Sequence, residues 1–142
     1  MSTRWMAVFT AIMGIYLYVA GGIAIWGIDA TSSITIDAAG PFSSEESVAR
    51  AKGQLPLLYL WAIEGIGAGT LAFIAAGALF TRRAWAFRAL AWATIFLAVM
   101  ALAILAYAPA AGSWGLQVVF LAFSATIWWE LWRMRKEKAA RL

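Results

Sequence analysis

The chain has no cysteine and no histidine among its 142 residues. The first absence excludes disulfides, thiol nucleophiles, iron–sulfur clusters and thiolate zinc sites. The second removes the commonest general base and the usual axial ligand of haem. No haem, cluster or zinc held through His or Cys is therefore expected. Charge is also thin. Asp, Glu, Lys and Arg make up 13% of the residues, against roughly a quarter in an average soluble domain. So little charge cannot cover a soluble core. With 64% hydrophobic residues and a mean hydropathy of +0.80, the main solvent of this chain is lipid.

What charge there is carries information by its placement. A net charge of +4 and a pI near 9.9 would point to nucleic acid in a soluble protein. Here the basic residues gather at the ends of apolar runs, where membrane topology accounts for them. No nucleic-acid partner is expected.

Four apolar runs reach the roughly 20 residues that a helix needs to cross a bilayer: 5–27, 55–80, 85–107 and 114–132. Asp29 stops the first, Thr81-Arg82-Arg83 the second, Pro109 and Gly112 the third, and Arg133 onward the fourth. The first run is too long for a signal-peptide core and contains Tyr16, Tyr18 and Trp26, so it reads as a retained helix. Lipid leaves no room for unpaired backbone groups, which makes the runs helices and not open strands. The predicted fold is all-α: one membrane domain over 1–142, a bundle of four transmembrane helices with short connections and antiparallel neighbours.

Basic residues in the short loops set the orientation. Arg4, Arg82, Arg83, Arg88, Arg133, Arg135, Lys136, Lys138 and Arg141 share one side, and only Arg50 and Lys52 fall on the other. Both termini are thus expected in the cytoplasm, with a bacterial inner membrane as the setting. Tryptophans agree with this frame. Trp5, Trp85, Trp128, Trp129 and Trp132 fall at predicted cytoplasmic ends, and Trp26 and Trp114 at the opposite ends, as an interfacial belt requires. Glu130 lies three residues before Arg133, so the two can pair on one helical face. The basic tail 133–142 suits contact with anionic lipid.

The loop 28–54 is the one sizeable outer connection. Alternating polar and β-branched residues over 31–37 permit an extended stretch, which Pro41 breaks. Ser43 and Glu46 have capping-box spacing. A short amphipathic helix over 44–52, ended by Gly53, is predicted across the outer face of the bundle. Pro56 then occupies the first turn of the second span.

Glu64 needs a reason. It lies nine residues inside the second span, roughly 13 Å deep at 1.5 Å per residue. A charge there is costly unless it is neutralised, paired or hydrated. Three readings stay open: a proton or cation site, a structural hydrogen bond to a neighbouring helix, or a contact with another subunit. Depth matching offers Tyr18, Ser124 and the shallower Gln117 as companions. Around Glu64, the second span carries Gly65 and Gly69 in GxxxG spacing, and Gly77 continues the four-residue step. Gly14 and Gly21 on the first span could meet them in close helix packing.

The order of four spans, an outer helix after the first, and Glu64 followed by Gly65, Gly67 and Gly69 resembles the small four-helix DoxX-like membrane proteins. The resemblance covers the layout of most of the chain and implies its fold. That family has no uniform activity to carry over. The stretch over 60–70, LWAIEGIGAGT, is also similar to the glutamate helix of small-multidrug-resistance transporters. There, however, the glutamate helix comes first and three follow, whereas two follow it here.

There is no Ser/His/Asp set, no carboxylate pair at one depth and no phosphate-cradling glycine loop, so an enzyme is not expected. The first expectation is a non-catalytic accessory or scaffold subunit of a larger membrane complex, with other membrane subunits or a second copy as partners alongside membrane lipids. The alternative is a small transporter, or a lipid-, quinone- or ion-binding protein built on Glu64. In either case apolar walls suffice to hold a packed lipid, quinone or pigment. Whether Glu64 lines a cavity or is sealed by helix packing separates the two.

Overall fold

The computed structural model describes residues 2–33, 44–107 and 114–141. The described residues are helical almost throughout. Helix α1 is Thr3–Ser32, α2 Glu45–Gly53 and α3 Leu55–Ile63. A π-helical turn at Glu64–Ala68 joins α3 to α4, Gly69–Phe80. Helices α5, Ala86–Tyr107, and α6, Trp114–Ala140, complete the chain. Four helical runs are long and apolar enough to cross a membrane: α1, the continuous run Glu45–Phe80, α5 and α6. The protein is an all-α four-helix membrane bundle.

Two helices outrun their apolar cores. At 30 residues, α1 is about 45 Å long, against a hydrocarbon layer of about 30 Å. It passes Asp29, and Ser32 and Ser33 then return their hydroxyls to the Asp29 carbonyl at 3.0 and 2.9 Å. Polar residues end a hydrophobic run without ending a helix. The same holds for α6, which continues through Lys138.

The loop helix also departs from expectation. Its capping box is made by Ser44 and Ser47, not by Ser43 and Glu46. Gly53 is its last residue, and Gln54 caps it. It leads into the second span with a single interruption at Gln54 and buries no residue. Pro56 sits in the first turn of α3, where its missing N–H costs nothing. The stretch 34–37, Pro41, Ser43, Pro109 and Gly112 lie outside the described residues.

The second span is the hub of the bundle. Half of its apolar window is buried, against a third or less for each of the other three. It packs on α1 along its whole length and on α5 mainly through α4, with the π turn and α3 adding to that contact. Helix α6 packs on α5, and among the described residues its backbone does not approach that of α1. The core lies in two layers. Near the end that holds both termini, Met6, Ala75, Leu79, Leu90 and Ile127 interdigitate. Deeper in, Leu17, Ala68, Leu97, Ala101 and Phe120 form the second layer. Small residues on the second span leave room for larger ones from its neighbours.

The basic residues divide by end as read from the loops. Arg4 opens α1, Arg82 and Arg83 make the α4–α5 turn, Arg88 follows in α5, and five more lie in the α6 tail, while Arg50 and Lys52 are in α2. Arg133 pairs with Glu130 at 3.0 Å and lies 3.8 Å from Glu137. Trp5, Trp26, Trp85, Trp114, Trp129 and Trp132 are exposed at the two ends, and Lys136 sits 3.8 Å over the Trp132 ring. Trp128 does more than anchor. Its indole N–H donates to Thr94 Oγ1 at 2.8 Å and ties α6 to α5.

Candidate functional site

The carboxyl of Glu64 is buried at the first residue of the π turn. A π turn carries one residue more than the α-helical count and often marks a functional position. Here it sits where α1 comes closest. A Cβ built on Gly65 would lie 2.5 Å from the Gly21 nitrogen and Cα and from the Leu17 carbonyl oxygen. One on Gly21 would lie 2.9 Å from the Ile66 nitrogen. The two backbones touch, and only glycine on each side permits it.

The other glycines divide. A Cβ on Gly69 would meet the Tyr18 ring at 2.7 Å, and one on Gly67 the Phe96 ring at 2.8 Å. Gly14 faces Ala72 and Phe73 at ordinary contact distance. Gly77, read as part of the packing row, does not belong to it. It is exposed, and a Cβ there would meet nothing within 4 Å. Eight residues after Gly69, at about 100° per residue, the helix has turned it about 80° away from α1.

Of the three companions proposed for Glu64, one is its partner. Gln117, fully buried on α6, donates its side-chain N–H to Glu64 Oε2 at 3.1 Å. Tyr18 instead shares a 2.6 Å hydroxyl–hydroxyl bond with Thr70, whose own hydroxyl donates to the Ile66 carbonyl at 2.7 Å. Ser124 is buried on α6, but its hydroxyl has no protein partner. It lies seven residues from Gln117, about 10 Å along the helix. The cluster is therefore Glu64 with Gln117, without Tyr18 or Ser124.

Sequence reasoning missed Trp61. It stands three residues before Glu64, a spacing that puts two side chains on one helical face. Both side chains line a cavity of about 360 Å³. Leu17, Ala24 and Trp26 of α1 form one wall, and Leu116 and Phe120 of α6 another. The cavity occupies the gap left because α1 and α6 do not pack backbone to backbone. Its lining is almost wholly apolar. Against that lining, Trp61 Nε1 and Glu64 Oε1 are each shut off from solvent without a protein hydrogen-bond partner, as is Gln117 Oε1 beside them.

Leaving a buried polar atom unpaired costs about 1–3 kcal/mol. Three such atoms, one of them on the Glu64 carboxyl itself, leave hydrogen-bonding capacity unmet within the bundle. The set contains a fixed donor (the indole N–H), a fixed acceptor (the amide oxygen) and a carboxyl able to serve as either. Among the described residues no group of three or more acidic side chains gathers as a metal site. No protein-family model, curated protein or solved structure matches this chain.

Proposed function

We propose that the protein binds an apolar amphiphile within the membrane, its polar head hydrogen-bonded at Glu64, Gln117 and Trp61. The observation that carries this reading is the coincidence of an apolar cavity with unpaired buried polar atoms on two of its lining side chains, Trp61 and Glu64, and on Gln117 bonded behind Glu64. A purely structural glutamate would have both carboxyl oxygens matched within the bundle. The complementary head both accepts a hydrogen bond from the indole and exchanges one with the carboxyl. A quinone or quinol has this pattern of carbonyl or hydroxyl oxygens on an apolar body. The setting we infer is a bacterial inner membrane with both termini cytoplasmic, supported by nine of the eleven basic residues lying at one end of the bundle.

Solvent extraction of the purified protein tests the reading. The wild type is expected to release an amphiphile in near-stoichiometric amount. Trp61→Phe and Glu64→Ala are expected to retain far less, with Trp61→Phe still folded. A wild type that carries no amphiphile, and that no added quinone or lipid stabilises more than it does Glu64→Ala, would overturn it.

A second reading, an accessory subunit, is favoured by a further apolar groove between α1 and α6, which shares Leu116 and Phe120 with the Glu64 cavity. It holds about 330 Å³ and is lined by Phe9, Ile12, Tyr16, Val119 and Phe123. A partner helix laid there would close the bundle where α1 and α6 stand apart. Site-specific crosslinking from Ile12 in native membranes reads this directly. Adducts to lipid alone count against it.

A further inference from the structure

At the basic end, far from Glu64, a groove of about 770 Å³ runs between the start of α1 and the α4–α5 turn. Arg4, Arg82 and Arg83 line it, and Leu79, Phe80 and Phe87 give it an apolar wall. Ion pairs among the described residues belong to Arg50 and Arg133. The three guanidiniums of the groove meet no carboxylate there. Three unpaired cations in one groove repel each other and call for an anion.

The turn that presents two of them is built against backbone preference. Arg83 N–H donates to the Ala78 carbonyl at 2.9 Å, and Arg82 N–H to the Leu79 carbonyl at 3.2 Å. This is a Schellman stop, whose left-handed position is usually glycine. Arg82 occupies that position at φ 51°, the sole non-glycine residue with positive φ among the described residues. The Arg82 guanidinium is thus held beside Arg4 and Arg83 despite a conformational cost.

Depth decides which anion fits. The groove lies where apolar spans give way to the basic end, so its cations sit at headgroup level while its apolar wall continues into the acyl region. Guanidinium forks match phosphate oxygens in pairs, and one phosphodiester charge leaves most of three cations unmatched. We propose that this groove binds the headgroup of an anionic phospholipid, with the two phosphodiesters of diphosphatidylglycerol as its preferred form. The site is separate from the Glu64 cavity and does not rest on that reading.

Native mass spectrometry of delipidated protein in a neutral detergent tests it, titrating diphosphatidylglycerol, phosphatidylglycerol and phosphatidylcholine in parallel. The expected order of affinity follows that sequence, with a one-to-one diphosphatidylglycerol adduct. Arg4→Gln, Arg82→Gln and Arg83→Gln together are expected to weaken that adduct by roughly a hundredfold, at about fivefold per cation. Arg50→Gln and Lys52→Gln at the opposite end of the bundle are expected to leave it unchanged. Thermal melts check folding. If the triple variant is unfolded, Arg83→Gln alone is expected to show about a fivefold loss. Groove variants that bind as wild type would overturn the proposal, as would an Arg50 and Lys52 variant that loses as much. Inorganic phosphate that stabilises the protein as well as the lipid does would assign the groove to a soluble anion and also overturn it.

Discussion

Gly65→Ala asks how much of this bundle depends on one backbone contact. The new methyl would stand 2.5 Å from three backbone atoms of α1, and ordinary contact begins near 3.4 Å. No side chain can rotate out of the way, so α1 must back off the second span by about 0.9 Å at that level. A gap of that size forfeits a quarter to a half of the local dispersion attraction. It falls on the most extensive helix interface in the molecule. Overpacking of a tight core costs about 1–3 kcal/mol, partly offset by the better helix propensity of alanine, about 1 kcal/mol. A net loss of about 1 kcal/mol, and at most about 2 kcal/mol, is expected. Gly77→Ala is the matched control, since its methyl meets nothing. It is expected to be neutral or stabilising by up to about 1 kcal/mol. Both variants can be followed by SDS-induced unfolding from mild detergent, read by circular dichroism. Equal stability for Gly65→Ala and wild type would refute the reasoning, as would equal damage from the two substitutions.

Glu64→Ala is expected to leave the Gln117 N–H without its acceptor and to cost about 1–3 kcal/mol, while Glu64→Gln keeps an acceptor there. A double-mutant cycle with Gln117→Leu should return a coupling energy, and a value near zero would mean the 3.1 Å bond contributes nothing. In lipid-free detergent Arg82→Gly is expected to stabilise by about 1 kcal/mol through relief of the left-handed strain, measured as a rise in melting temperature. Finally, this cysteine-free chain takes a single engineered cysteine cleanly. Ser2→Cys is expected to react with an impermeant maleimide only after the cells are opened, and labelling of intact cells would reverse the orientation.

Hydropathy made the four spans legible because each is an apolar run of crossing length. It left the helix ends open because hydropathy reports where lipid stops, not where hydrogen bonding stops. Asp29 and Lys138 lie beyond the one and within the other. Glu64 stood out as the costly residue, but its partner did not. Depth gives position along a helix axis and says nothing of rotation about it, so Tyr18 looked as good as Gln117 although it faces Thr70. Gly77 was misassigned for a related reason: a four-residue step drifts around a 3.6-residue helix. Trp61 was within reach, since its three-residue offset from Glu64 is a same-face spacing. The π turn was not, because no residue type in EGIGA demands it.

That turn makes the second span two phased helices on one axis. Leu55–Ile63 takes its angular setting from the cavity, which its Trp61 and Leu58 must face. Gly69–Phe80 takes its own from the Tyr18 ring at Gly69 and the alanine-rich core below. One residue added or lost within Leu55–Ile63 would swing what precedes it by about 100°, while the rest of the span kept its seat on α1. A single hydrophobic period fitted across the whole span averages two frames and describes neither.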